Sequence, residues 1–402
     1  MDSEKLSSKS EWAPKHFSVK INDMKRLPER VYSKFIREDL KKKMVFIGGP
    51  RQVGKTTLAL TFVKNSKANH PAYLNWDNEN SRKIINQGTW PKEEELIIFD
   101  EIHKRKGWQS LIKGFWDTWK STQRYLITGS ARLDTFRKGG DSMLGRYHYY
   151  RIHPYSYPEL GNEKKNLDAL FRFGGFPEPL LLQDEREHRR WVNSRVSKLV
   201  RIDLRDLENI QDLDKVELLA ENLSQKVGST LSYKSLGEDL ETSDKTVKRW
   251  VQILDSLYYC YTISPLGSTK IKAVKKAQKL YLWDWSEISE PGARFENMVA
   301  SHLLKYCHFQ SDVEGFKMEL RYIRDESGKE CDFVVIKDKK PLFAVECKLG
   351  ASVFDKNIGY FKERLNIPKW YQVTLDDIPE RKVTPDISIL SFHDLCIKEN
   401  LI

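Results

Sequence analysis

Gly49, Gly54, Lys55 and Thr56 follow a spacing of one glycine, four residues, then Gly-Lys-Thr, and that spacing suits the holding of phosphate. The glycines let the backbone curl until its N–H groups face phosphate oxygens, and a helix opening at Lys55 aims the positive end of its dipole at them. Lys55 then reaches the β- and γ-phosphates of a nucleotide, while the Thr56 hydroxyl ligates Mg²⁺. The expected nucleotide-binding loop is Gly49-Pro50-Arg51-Gln52-Val53-Gly54-Lys55-Thr56-Thr57. Further on, Asp100 and Glu101 form an acidic pair suited to ATP hydrolysis. Asp100 holds Mg²⁺ directly or through water, and Glu101 polarises the attacking water as general base. A third set, Asp332, Glu346 and Lys348, offers two carboxylates beside an ammonium group.

The elements around these residues place them at strand ends. KKMVFIGG runs as an apolar strand into the loop and TTLALTFVKN continues as a helix, the strand–loop–helix order that a Walker A loop needs. HPAYLNWDNEN predicts a short strand ending at Asp77, and the apolar run Leu96 to Phe99 delivers Asp100 and Glu101 at a strand's carboxyl end, the Walker B arrangement. Trp108, Leu111, Ile112, Phe115, Trp116 and Trp119 recur at helical spacing and read as core. RYLITGSAR predicts another strand with Thr128 and Ser130 at its tip, where a hydroxyl can hydrogen-bond the γ-phosphate or its water. Ahead of the loop, ERVYSKFIREDLKKK reads as a helix. The fold class is α/β.

Length and composition bound the rest. At 402 residues the chain exceeds one ordinary core, with about 150 residues per domain as the prior. Lys and Arg total 68 against 57 Asp and Glu, a net +11, which suits a polyanionic partner or simply a solvated basic surface. Its 5 cysteines, without a CxxC pair, suggest neither a disulfide framework nor a zinc ribbon. No apolar run approaches the roughly 18 residues of a membrane span. A soluble, cytoplasmic protein is the expectation.

The ordered series GGPRQVGKTT, LNWD, LIIFDEIHK, LITGSARL, SMLGRYHYYRIHPYSYPEL and GGFPEPL resembles the landmarks of prokaryotic AAA+ ATPases of the AAA_14/DUF4143 group. The resemblance implies a P-loop parallel sheet with a helical lid, and a sensor role for Ser130. It also implies that Arg146, of the LGR triplet, completes a neighbouring subunit's site as an arginine finger, with Arg132 and Arg151 as competitors. A finger in trans implies a homo-oligomer. The charged stretch DEREHRRWVNSRVSKLVRIDLRDLENI belongs to the lid in this reading, and its charges read as a solvated face.

The C-terminal half carries the remaining chemistry. Between Asp214 and Pro265, helical periods capped by Ser232 and Ser243 and followed by YYCYTI form a winged-helix pattern. Its third helix buries Val247, Val251 and Leu254 and presents Lys245, Lys248, Arg249 and Gln252, a set suited to DNA, although such modules also contact proteins. The following STKIKAVKKAQK is either a phosphate track or a solvated linker. Asp332 enters one strand, and Glu346 and Lys348 share a face of the next. This resembles the PD-(D/E)XK core of restriction endonucleases and junction resolvases, with Cys331 where a proline is usual. The resemblance implies Mg²⁺ on Asp332 and Glu346, Lys348 beside the water, and Glu296 as an outer carboxylate.

The expected organisation is an arm (1–27), an AAA+ core (28–160), a lid (161–210), a winged helix (211–268) and a nuclease-like α/β domain (269–402). Its expected function is an ATP- and Mg²⁺-dependent ATPase coupled to DNA binding or remodelling, with branched or distorted duplex the form to test first and nuclease activity open. The rival is a regulatory ATPase whose C-terminal half binds a protein.

Overall fold

The computed structural model describes residues 27–129, 143, 145–203, 212–267, 277–350 and 353–402, so residues 1–26 of the expected arm, Ser130 and Arg132 lie outside the described residues. The helix expected ahead of the loop forms over Ser33–Asp39, with Tyr32 and Ile36 buried. Five strands follow: β1 (Met44–Gly48), β2 (Tyr73–Asn75), β3 (Leu96–Asp100), β4 (Arg124–Thr128) and β5 (Tyr147–Arg151). They make one sheet in the order β2-β3-β4-β1-β5, with every pair parallel. β1 is buried throughout, and β3 and β4 beyond their first residue, the near-continuous apolar runs of a parallel sheet covered on both faces.

Register brings the chemistry to one rim. Asp100 pairs with Thr128, Thr128 with Ile47, and Gly48 with Arg151, so the carboxyl ends of four strands are level. The helix after the loop, Lys55–Leu60, is shorter than TTLALTFVKN implies; at its end the Thr61 hydroxyl donates to the Leu58 carbonyl at 2.6 Å. The aromatic stripe is core: Trp108, Ile112 and Trp116 are buried on the helix Trp108–Trp119, and Trp90 meets Phe115 edge-on at 4.6 Å.

Helices Lys164–Phe173, Pro177–Leu182 and Glu185–Lys198 come next. The last does not turn all its charges to water. The Arg195 side chain is 6% exposed, pairs with Glu287 and lies 4.5 Å over the Phe176 ring. Glu287, on the turn Trp285–Glu287, and neighbouring Asp284 supply the counter-charge that a buried guanidinium requires. Helices Leu213–Ser224, Tyr233–Asp239 and Asp244–Ser256 then follow. Ser232 and Ser243 cap the second and third, accepting the Ser235 and Thr246 N–H groups at 3.3 and 3.1 Å.

The second sheet has eight strands: β6 (Cys260–Pro265), β7 (Lys279–Leu282), β8 (Met318–Arg324), β9 (Glu330–Lys337), β10 (Lys340–Lys348), β11 (Trp370–Thr374), β12 (Arg381–Thr384) and β13 (Ile387–Ser391), in the order β12-β13-β11-β10-β9-β8-β6-β7. β6 pairs antiparallel with β7 and parallel with β8, so β7 is one edge of this sheet and β6 lies between it and the strands that follow. The 22-residue helix Pro291–Asp312 crosses β8, β9 and β10 and reaches back to β5.

Candidate functional site

The phosphate loop has the backbone that its sequence demands. Gly49 and Gly54 sit at φ of 147° and 94°, and a side chain at Gly49 would come within 2.3 Å of the Ile152 carbonyl oxygen. Lys55 Nζ donates to the Gly49 and Pro50 carbonyls at 2.9 and 2.6 Å, folding its ammonium over the loop. Across the rim, Thr56 Oγ1 donates to Asp100 Oδ2 at 2.8 Å. The Walker A hydroxyl and the Walker B carboxylate thus meet from elements 44 residues apart. Two hard oxygen donors in contact at a strand end fit Mg²⁺.

Two further hydroxyls lock Asp100, which is 2% exposed. Tyr73 Oη donates to Oδ2 at 2.6 Å and Thr128 Oγ1 to Oδ1. Burial, then the Asp100 charge, push the Tyr73 phenol well above its ordinary range, so it stays a donor. Tyr73 lies on a short strand and belongs to no motif. Glu101 turns away from the strand at a left-handed φ of 56°, with its carboxylate 3.7 Å from His103 Nε2 and 3.6 Å from Lys104 Nζ. Burial holds the His103 imidazole below its ordinary pKa, hence neutral near pH 7.

Arg146 stands just before β5, where its carbonyl accepts the Met44 N–H at 3.1 Å. It is therefore at the amino-terminal end of strands whose carboxyl ends carry the loop, roughly 16 Å away at about 3.3 Å per residue. Its Nε donates to Asp117 at 3.2 Å. Such a place excludes a role at its own loop. Arg151, at the loop end of β5, makes a bidentate pair with Asp312 at 3.0 and 2.6 Å.

The C-terminal set also comes together, around a residue whose sequence context suits a track or linker. Lys279, the last lysine of STKIKAVKKAQK, has a side chain only 1% exposed; its Nζ lies 3.3 Å from Glu296 and 3.4 Å from Asp332 and pairs with Glu330. It turns inward because three carboxylates on β9 and the helix Pro291–Asp312 face it. Glu346 accepts the Asp332 N–H at 3.3 Å and Lys348 Nζ at 2.8 Å, and Lys348 also reaches Asp355 at 3.0 Å. Tyr281 donates to Glu296 at 2.7 Å. Burial and the Asp332 charge push the Glu296 carboxyl up to about 7 and the Glu346 carboxyl up to about 9. Among the described residues no three His, Cys, Asp or Glu side chains converge as a metal-holding group. A cavity of about 480 Å³ opens beside Glu296 and Lys348, walled by residues 227–229 and Glu290. On the helix Asp244–Ser256, Lys245, Lys248, Arg249 and Gln252 are all exposed, over buried Val247, Val251 and Leu254.

No helix among the described residues is long and apolar enough to cross a membrane. Residues 41–161 match the AAA domain model AAA_14, 148–286 a domain of unknown function, DUF8612, and 291–385 a domain of unknown function, DUF4143. An uncharacterized protein of Methanocaldococcus jannaschii is 25% identical over 389 residues, 81% of this chain and 79% of its own. A second from that organism is 20% identical over 384 residues, 85% and 84% of the two chains. A solved Walker-type ATPase of Pyrococcus abyssi aligns at a TM-score of 0.38 and 12% identity, over 68% of this chain and 97% of that one. The AAA domain match covers the phosphate loop and the Asp100–Glu101 strand end, and the DUF4143 match covers β8 to β11 of the C-terminal sheet.

Proposed function

We propose that this chain is a Mg²⁺-dependent ATPase whose nucleotide state governs a DNA-binding C-terminal half. The observation that carries the ATPase part is the 2.8 Å contact between Thr56 and Asp100, which joins the two halves of a nucleotide–metal site. ATP takes the loop amides, and Lys55 exchanges the Gly49 and Pro50 carbonyls for phosphate oxygens. Thr56 and Asp100 would hold Mg²⁺, which when bound neutralises charge on those oxygens. Glu101 orients the attacking water and takes its proton. Ser130 serves as the γ-phosphate sensor, and Arg146 acts on a neighbouring subunit's ATP, since its own loop is out of reach. The protein is then a homo-oligomer.

The DNA part rests on the exposed row Lys245, Lys248, Arg249 and Gln252 and on the net charge of +11. In this reading the helix Asp244–Ser256 holds DNA and the C-terminal sheet does not cut it, because Lys279 already supplies the positive charge that a nuclease cluster takes from its metal. Mg²⁺-dependent cutting that Asp332→Ala abolished would overturn that part. The binding claim is checked by gel shift over a salt series. Affinity should fall steeply with salt, and the double variant Lys248→Ala with Arg249→Ala should flatten the log–log slope by about two, close to one for each phosphate no longer neutralised. Weak binding that ignores salt would instead favour a protein-binding switch.

A further inference from the structure

The helix Pro291–Asp312 carries four polar side chains in a row on one face, His302, Lys305, His308 and Asp312, and each is bonded to the segment that leaves β5 beside the phosphate loop. Asp312 takes Arg151, His308 meets His153 at 2.8 Å, Lys305 donates to Ser156 Oγ at 2.9 Å, and His302 Nε2 accepts the Tyr157 N–H at 2.9 Å. Spacings of three, three and four residues keep the row on one face. At about 1.5 Å per residue, this helix spans roughly 24 Å from Glu296, in the carboxylate cluster, to Asp312 beside β5.

One of these bonds continues to the nucleotide loop. Lys305 Nζ pairs with Glu159, whose carboxylate also takes Arg30 Nη1 at 3.1 Å and the Val31 N–H at 3.3 Å. The other arm of the same guanidinium, Nη2, donates to the Val53 carbonyl at 2.6 Å, in the middle of the phosphate loop. The Tyr155 ring packs on Arg30 at 3.5 Å, and the side chains of Arg30, Glu159 and Lys305 are 4%, 2% and 1% exposed. Three charges are thus buried with a net +1. Burial, against the attraction of Glu159, brings the Lys305 ammonium down to about 8.

We infer that Arg30 is a positioning residue for the phosphate loop, and that the chain Val53–Arg30–Glu159–Lys305 ties the loop's shape to the helix that carries Glu296. This rests on the ATPase reading and deepens it, by naming how the C-terminal half feels the nucleotide. A guanidinium fork is what the task needs, because it holds a carboxylate and a carbonyl at once in fixed geometry, whereas an ammonium at that reach satisfies one of them. Coupling of this kind is reciprocal: if the helix sets the loop, ATP must also act on the helix.

The test measures ATP affinity, melting temperature and amide hydrogen exchange in the full chain, for the unchanged protein and for Arg30→Lys and Lys305→Met. Arg30→Lys should keep the Glu159 pair and the melting temperature within a few degrees, yet weaken ATP binding about tenfold. Lys305→Met contacts no loop residue and takes the buried triad from +1 to neutral, so it should fold. Glu159 then draws the Arg30 fork off Val53, and ATP affinity should fall here as well. ATP should slow exchange along residues 291–312 in the unchanged chain and do so less in both variants. Variants that fold, bind ATP as the unchanged chain does and keep its exchange response would overturn the inference alone. An unchanged chain that bound no ATP would overturn the ATPase reading and this inference with it.

Discussion

Glu101→Gln binds ATP as tightly as the unchanged chain and hydrolyses it about 10²- to 10⁴-fold more slowly, the usual worth of a positioned general base. The two neighbouring acids divide the work by geometry. Asp100 is 2% exposed, and its carboxylate accepts from Thr56, Tyr73 and Thr128, which fix it as an anchor at the strand end. Glu101, one residue on, turns its side chain off the strand line through a left-handed backbone, and that side chain keeps 17% of its surface. The amide isostere preserves shape and removes basicity, so affinity should hold while turnover collapses. Equilibrium binding of a fluorescent ATP analogue beside steady-state phosphate release separates the two quantities. Turnover at the unchanged rate would take the base assignment away from Glu101.

Lys279→Met lowers the melting temperature by on the order of 10 °C at neutral pH, because removing one partner of a buried ionic group typically costs about 3–5 kcal/mol. The variant leaves Glu296, Glu330 and Asp332 facing one another without the ammonium between them. The loss should grow with pH. The Glu296 and Glu346 carboxyls are raised to about 7 and about 9 in the folded chain from an ordinary 4.5, by burial first and then by Asp332. The folded state therefore holds more protons than the unfolded one between those values, and the stability these groups contribute is present below about pH 4.5 and lost as pH rises toward 7 and 9. Without Lys279 the protonated forms are favoured further, so the variant should lie nearer the unchanged chain at pH 5 than at pH 9. Thermal unfolding at pH 5, 7 and 9 checks this, and equal melting temperatures at all three would show that Lys279 is not what holds the cluster.

The phosphate loop, its strand and the acidic pair were legible in the sequence because each is a local pattern: glycines where φ must be positive, an apolar run, then the acids. The caps at Ser232 and Ser243 and the tryptophan helix were legible for the same reason. What escaped were side chains whose role is set by a distant partner. Lysines are so rarely buried that Lys279, closing a lysine-rich stretch, reads as part of a phosphate track or a solvated linker. Arg195 was hidden in the same way, until Glu287 arrived from 92 residues away. Tyr73, Arg30 and Asp312 belong to no motif; only the folded register brings them to Asp100, Val53 and Arg151. Asp332, Glu346 and Lys348 lie side by side through the Asp332 N–H and Lys348 contacts to Glu346, but the cation among these carboxylates cannot be read from spacing.

Coupling between the nucleotide loop and the C-terminal half is most directly measured as the ATP turnover of the full chain alone and with duplex, single-stranded and four-way DNA at low salt. A loop tied through Arg30 and Lys305 to the helix that carries Glu296 predicts faster turnover with at least one of these DNAs. Equal rates with and without all three would contradict it.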